Sequence, residues 1–286
     1  MNGHHEFDPP RRFVVDAVAR AIADDVGPLG DLSAALLPYD ERAVADFIPR
    51  APGVLAGTAC VTETFAQLDP SVRVTWADPD GAPIAKGESI GRLEGPLRSI
   101  LSGERTALNF LCHLSGVATL TRRFVDLAGD VRVLETRKTL PGLRALEKAA
   151  VRAGGGANHR GTLSDMVLVK DNHLVGTTIA AAVARARDLW PGRGVEVECD
   201  RPDQVEEAVA AGVDIVMLDN MTPGDAAKCV EIVRTSSRPH TLVEISGGVS
   251  LDTVASYATT GVDLLSTSLI TQSAPALDIG LDLGAE

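Results

Sequence analysis

The sequence is poor in aromatic side chains: two Trp, two Tyr and six Phe among 286 residues, 3% of the chain. Its core must therefore be built from Val, Leu, Ile and Ala, and the 45% hydrophobic content argues against disorder. Positive charge is scarce as well. There are 27 Lys and Arg against 39 Asp and Glu, a net charge of -12 that argues against a general binder of nucleic acid or anionic membrane. The four cysteines, Cys60, Cys112, Cys199 and Cys229, form no C-x-x-C pair. Their spacing suits neither a zinc knuckle nor a dense disulfide framework, so they read as buried free thiols in a reducing compartment. No stretch reaches the ~20 apolar residues that cross a bilayer. Residues 1–10 are polar and lack the basic-then-apolar order of a signal peptide. The expectation is a cytoplasmic protein that engages neither membrane nor nucleic acid.

What is present is organised in two parts. A chain of this length forms one or two domains and buries roughly 75% of its unfolded surface. Phe13, Val14, Ala17, Val18, Ala21 and Ile22 share a helical face, and that helix should stop near Gly27-Pro28. Short apolar runs at 43–48, 53–56, 72–77 and 89–93, separated by turn formers such as Pro79-Asp80-Gly81, predict a strand-rich region. Pro96 then opens a long helical pattern to about 127, interrupted near Ser115-Gly116, with Leu108, Leu111 and Leu114 as packing residues.

The second half has another rhythm. Runs at 131–136, 166–170, 195–199, 215–218, 242–245 and 264–267 are branched and apolar without clean alternation, as in strands buried on both faces of a parallel sheet. Helical patterns at 143–153, 178–189, 202–211, 223–235 and 251–260 separate most of them. Strands alternating with helices imply an α/β barrel or a doubly wound sheet. The strand ends favour the barrel. They carry Glu135-Thr136-Arg137-Lys138, Lys170-Asp171-Asn172, Glu198, Asp219-Asn220, Ser246-Gly247-Gly248 and Thr267-Ser268. Polar groups at the end of each successive strand converge on one mouth, where barrel enzymes keep their sites.

Between Arg132 and Lys170 lie eight basic residues (Arg132, Arg137, Lys138, Arg144, Lys148, Arg152, Arg160, Lys170) and three acids (Glu135, Glu147, Asp165), a local charge of +5. The helical members Arg144, Lys148 and Arg152 read as a solvated charged face. Arg137, Lys138 and Lys170 close buried strands, and His159-Arg160 follows a flexible triple glycine. Cations gathered in a mouth repel unless an anion occupies it, so a multiply anionic ligand is implied. Arginine's planar fork suits carboxylate or phosphate. Glu198 and Asp219 face the cluster; carboxylates there can bind Mg²⁺ through phosphate, hold ribose hydroxyls or stabilise a developing positive charge. Ser246, Gly247 and Gly248 can offer backbone N–H groups to a phosphate.

The strings Gly103-Glu-Arg-Thr-Ala-Leu-Asn109, Thr136-Arg-Lys-Thr-Leu-Pro-Gly-Leu-Arg144, Gly154-Gly-Gly-Ala-Asn-His-Arg160 and Lys170-Asp-Asn-His173 resemble those of quinolinate phosphoribosyltransferases. So do Glu196-Val-Glu198, Leu218-Asp-Asn220, Ser246-Gly-Gly248 and Leu277-Asp-Ile-Gly-Leu281. They occur in the family's order over almost the whole chain. The resemblance implies an N-terminal α/β, strand-rich sandwich domain (1–115), an incomplete α/β barrel of the type II phosphoribosyltransferase kind (116–273), and a tail (274–286) returning to the first domain. It implies conversion of quinolinate and phosphoribosyl pyrophosphate to nicotinate mononucleotide, pyrophosphate and CO₂, with Mg²⁺. It also implies a homodimer with shared active sites, higher assembly being left open.

By motif position, Arg105 would reach the neighbouring subunit's quinolinate. Arg137, His159, Arg160 and Lys170 would surround its carboxylates, with Lys138 shared with the phosphates. Glu198 and Asp219 would face ribose and metal, and Ser246, Gly247 and Gly248 the phosphate. Thr136, Asn220, Thr267, Ser268 and Leu269 complete the substrate-binding set that the resemblance implies. Lys138, Lys170, Glu198 and Asp219 are its catalytic candidates. Three positions depart from the family pattern: Glu135 where Asp is usual, Ser268 where Gly is usual, and Gln272 where His is usual. Two other readings follow from the residues: a Schiff-base aldolase or lyase using Lys170, and a repurposed relative that binds a pyridine dicarboxylate or phosphosugar without turnover.

Overall fold

The computed structural model describes residues 7–284, so the first six residues of the polar N-terminal segment lie outside the described residues. The chain divides into two compact units: Met1–Arg122 with Thr139–Gly155 and Ile270–Glu286, and Arg123–Lys138 with Gly156–Leu269. In chain order the elements begin with α1 (Arg11–Asp25), β1 (Arg42–Pro49), β2 (Gly53–Val54), α2 (Thr58–Leu68), β3 (Arg73–Trp76), β4 (Pro83–Ile84), β5 (Gly91–Pro96) and α3 (Leu97–Ala128). Next come β6 (Arg132–Leu134), α4 (Arg144–Ala153), β7 (Val167–Val169), α5 (Ile179–Leu189), β8 (Val195–Cys199) and α6 (Pro202–Ala211). The last are β9 (Ile215–Asp219), α7 (Pro223–Thr235), β10 (Leu242–Ser246), α8 (Val254–Ala258), β11 (Leu264–Ser266), α9 (Leu269–Gln272) and β12 (Ile279–Leu283).

In the first unit an antiparallel sheet of order β12-β1-β5-β3 buries one face, as the alternation along β5 requires. Phe47 and Leu93 from the strands pack with Val61 and Phe65 of α2 and with Ile100, Leu108 and Leu111 of α3. Burying one such side chain contributes about 1.5–3 kcal/mol. Three expectations are corrected here. The strand-rich region contains a helix, α2, whose Cys60, Val61, Thr64 and Phe65 form its buried stripe. Its first turn is satisfied from a distance: the Asp80 carboxylate accepts from the backbone N–H of Gly57 at 2.8 Å and of Thr58 at 3.2 Å.

The second correction is that α3 runs unbroken through Ser115-Gly116. Ser115 Oγ bonds both the N–H and the carbonyl of Ala56, each at 3.1 Å. A Cβ on Gly116 would lie 2.1 Å from the Pro275 carbonyl oxygen, so the glycine there admits a crossing segment and does not break the helix. Third, Arg144, Lys148 and Arg152 are not a solvated face. Lys148 is buried, Arg144 Nε donates to Thr139 Oγ1 at 3.1 Å, and Arg152 donates to the carbonyls of Phe7 and Asp8 at 3.3 and 3.5 Å. Of the three, Arg152 satisfies backbone carbonyls near the N-terminal end of the first unit.

The second unit is a parallel six-stranded sheet of order β6-β11-β10-β9-β8-β7. From β7 to β11 consecutive strands lie side by side, and β11 pairs with β6, which is barrel order left open between the edge strands β6 and β7. β8, β9 and β10 are buried along their centres, in keeping with their apolar runs. Pro202 and Pro223 occupy first helical turns, and Gly212 ends α6 at φ 82°. Beside the opening, Ala157 bridges to Leu134 in parallel fashion, which delivers residues 158–160 to the strand ends.

Candidate active site

Parallel pairing sets the strand ends side by side. Ser246 is in register with Asp219 on one side and Ser266 on the other, and Glu198 lies opposite Met217. Lys170 follows β7 directly, and its Nζ is ion-paired with Glu198 Oε2. Those side chains are 40% and 16% exposed, so the pair lies at the rim of the site. The Lys170 backbone N–H donates to His173 Nδ1 at 2.9 Å, which fixes the turn after β7. At the end of β6, Thr136 Oγ1 accepts from the Lys138 N–H at 3.0 Å.

Arg160 comes in beside Arg137. Burial first, and then the Arg137 charge, lower its pKa, while the charges of Glu196 and Asp165 oppose that. Two half-buried guanidiniums brought near one another repel, and an anion between them relieves that repulsion. The loop that carries Arg160 is fastened by Glu135, itself fully buried: Oε1 accepts from the His159 N–H at 3.0 Å and Oε2 from Asn158 Nδ2 at 2.9 Å. Both oxygens of this glutamate are therefore engaged by the loop.

At the other side, Asp219 Oδ2 accepts from Asn220 Nδ2 at 2.8 Å, and the Asn220 N–H donates to the Ser246 carbonyl at 2.9 Å. Asn220 adopts φ 54°, the left-handed region that Asn tolerates best after Gly. Gly247 and Gly248 follow at φ 81° and 68°, leaving a backbone turn with no side chain over it. Thr267 is buried; its hydroxyl donates to the Val249 carbonyl at 3.1 Å and accepts from the Leu269 N–H at 3.3 Å. Ser268 lies half-buried within that turn.

The second unit thus gathers Thr136, Arg137, Lys138, His159, Arg160, Lys170, Glu198, Asp219, Asn220, Ser246, Gly247, Gly248, Thr267, Ser268 and Leu269 on the C-terminal side of its strands. Arg105 is elsewhere: it belongs to α3 in the first unit, with its side chain 65% exposed. Gln272 is exposed, also in the first unit. Two residues escaped the sequence reading as parts of the site's support. Glu196 and Glu244 stand in the middle of β8 and β10, both fully buried. A glutamate inside an apolar strand was the available signal, since an unpaired charge there is expensive.

Among the described residues, no helix is long and apolar enough to cross a membrane. Residues 31–115 match the model of the quinolinate phosphoribosyl transferase N-terminal domain, and 117–282 that of its C-terminal domain. The chain is 41% identical to a probable nicotinate-nucleotide pyrophosphorylase [carboxylating] of Methanothermobacter thermautotrophicus, over 94% of this chain and 99% of that protein. It is 38% identical to the nicotinate-nucleotide pyrophosphorylase [carboxylating] of Mycobacterium leprae, over 97% and 98% of the two chains. The solved nicotinate-nucleotide pyrophosphorylase of Francisella tularensis superposes with a TM-score of 0.92 at 38% identity, covering 99% of this chain and all of that one (100%). With both family domains matched in order and relatives alike over nearly their full length, the chain belongs to the quinolinate phosphoribosyl transferase family and is an enzyme of the phosphoribosyltransferase class.

Proposed function

We propose that the chain transfers the phosphoribosyl group of phosphoribosyl pyrophosphate to the ring nitrogen of quinolinate, with loss of CO₂. The products are nicotinate mononucleotide and pyrophosphate, the step that enters pyridine nucleotides in de novo NAD biosynthesis. The observation that carries this reading is a cationic set, Arg137, Arg160 and Lys170, set against Glu198 and Asp219 at the strand ends of an acidic chain. Arg137, Arg160 and Lys170 hold the two carboxylates. His159, expected among them, instead turns both ring nitrogens to protein groups, the Arg160 N–H and the buried Glu196 and Glu244. Lys138 and the Ser246-Gly247-Gly248 turn hold phosphate. The ring nitrogen brings its own lone pair, so the protein needs no nucleophile.

As the C–O bond between ribose and pyrophosphate breaks, the ribose takes on oxocarbenium character that Glu198 or Asp219 stabilises. The new C–N bond leaves the ring nitrogen positive. The adjacent carboxylate then departs as CO₂, its electron pair stays beside the cationic nitrogen, and a solvent proton quenches the carbanion. Glu198 and Asp219 are hard oxygen donors on adjacent strands, a set that fits Mg²⁺ shared with substrate phosphates. Bound there, directly or through water, Mg²⁺ would neutralise charge on the departing pyrophosphate. The exposed Arg105 on the first unit suits donation to a partner's site, so the working form is read as a homodimer, and the cytoplasm as its place.

The Schiff-base alternative fares worse on geometry. Such a lysine needs a desolvated, neutral amine, whereas the Lys170 ammonium is engaged by Glu198 and remains 40% exposed. Comparing quinolinate with nicotinate tests the reading. Nicotinate lacks the carboxylate beside nitrogen and so forfeits the charged contacts proposed for it, which should cost roughly 10³-fold or more in kcat/KM. Comparable turnover of nicotinate, or borohydride trapping of Lys170 with a carbonyl substrate, would contradict it.

A further inference from the structure

Beneath the cationic floor lies a group of three side chains that the reaction above does not use. His159 Nε2 sits 3.1 Å from Glu196 Oε2 and 3.5 Å from Glu244 Oε2, with the imidazole 8% exposed and both carboxylates fully buried. Such a triad has the composition of a metal site, and its ligand atoms all lie within 4.8 Å of one another. The hydrogen bonding of the ring decides against that use. His159 Nδ1 accepts from the Arg160 backbone N–H at 2.7 Å, which leaves the ring proton to Nε2, whose nearest charged neighbours are the two carboxylates. A metal-ligating histidine has the opposite arrangement, with its remote nitrogen donating.

We propose that Glu196 and Glu244 are positioning residues that lock the His159 ring and, through its bond to the Arg160 N–H, set the Arg160 guanidinium at the substrate carboxylate. The dipeptide is held on three sides: Glu135 takes the His159 N–H and Asn158 Nδ2, the carboxylate pair lies in ion-pair contact with His159 Nε2, and Nδ1 takes the Arg160 N–H. Glu196 also acts on Arg160 through its charge, helping to keep the guanidinium protonated against burial and Arg137. Two ionised carboxylates so close and so deep would be prohibitive; burial, and next the neighbouring Glu196, push the pKa of the Glu244 carboxyl up to about 8, which favours its protonated form. The arrangement explains why acids occupy the centre of a barrel whose mouth binds an acid. They orient cations that would otherwise swing apart.

This rests on Arg160 gripping quinolinate, and the test separates the two claims. Glu196→Leu removes the acceptor, whereas Glu196→Gln keeps an acceptor and removes only the charge. The leucine variant should raise the quinolinate KM by roughly tenfold or more, with the phosphoribosyl pyrophosphate KM within about twofold, and the glutamine variant should recover most of the loss. A purely structural role predicts a lower Tm with both KM values unmoved, and that result would overturn the proposal. If the leucine variant does not fold, ¹⁵N resonances of His159 in the unaltered enzyme decide: a proton on Nε2 supports the proposal, a proton on Nδ1 refutes it. An unaltered enzyme that ignores quinolinate would refute the Arg160 reading, and the His159 tautomer would still decide the fate of the carboxylate pair.

Discussion

Gly247 and Asn220 interlock at the ends of β10 and β9: a Cβ built on Gly247 would stand 2.3 Å from Asn220 Oδ1 and 3.1 Å from the Asn220 backbone nitrogen. Asn220 in turn holds Asp219 through its amide, so the Gly247-Gly248 turn, proposed to hold phosphate, and the Asp219 carboxylate, proposed to face ribose, are one mechanical unit. Gly247→Ala therefore meets both a clash and a left-handed φ, with a cost of about 1–2 kcal/mol from the backbone alone. We expect a lower Tm and a phosphoribosyl pyrophosphate KM raised by roughly tenfold, since misplacing a binding group by ~1 Å is that costly. The quinolinate KM should hold. Steady-state kinetics against each substrate checks this.

Ser268 stands in the turn after β11, next to Thr267, whose hydroxyl is already committed to Val249 and Leu269. Serine adds a Cβ where the family pattern has Gly, and its hydroxyl can return only about 1 kcal/mol as a neutral hydrogen bond. Ser268→Gly should lower the KM for phosphoribosyl pyrophosphate and leave that for quinolinate nearly unchanged. Loss of activity in this variant would make the hydroxyl a working ligand.

These sites were legible because their chemistry is written in short strings at strand ends. Lys170, Glu198 and Asp219 each stand at the end of an apolar run that suits a buried strand, and parallel pairing then brings them together. What was not legible depends on contacts distant in sequence. The α2 helix starts on a carboxylate at Asp80, and Gly116 answers to a chain segment at Pro275. Arg152 appears solvated until the carbonyls of Phe7 and Asp8 arrive. Glu196 and Glu244 look like lone charges in two separate strands until His159 stands between them.

The Glu244 carboxyl carries a pH dependence of stability. Burial, and next the Glu196 charge, raise its pKa to about 8, against the pull of His159. In the unfolded chain it titrates in the ordinary Glu range, near 4.3 by the usual reference. Between those values the folded protein keeps a proton that the unfolded chain has lost, so this contribution is complete at low pH and fades as pH rises toward about 8. The Tm of the unaltered protein should therefore fall more steeply from about pH 5 to about pH 8.5 than that of Glu244→Gln, which has nothing to ionise. Parallel slopes would show that Glu244 is ionised throughout.

Arg105, exposed on α3, is expected to act in the neighbouring subunit. Arg105→Ala and Arg137→Ala chains should each be nearly inactive alone. Mixed under conditions of confirmed subunit exchange, they should regain activity, because a heterodimer can assemble one intact site. No recovery despite exchange would mean that each site is built within one chain.

The most direct measurement is a product balance. Purified protein would be given quinolinate, phosphoribosyl pyrophosphate and Mg²⁺, and nicotinate mononucleotide, pyrophosphate and CO₂ would be followed together. The account predicts equal amounts of all three, with turnover falling sharply in Arg160→Ala and Lys170→Ala. Release of pyrophosphate without nicotinate mononucleotide, or tight quinolinate binding with no CO₂, would contradict it.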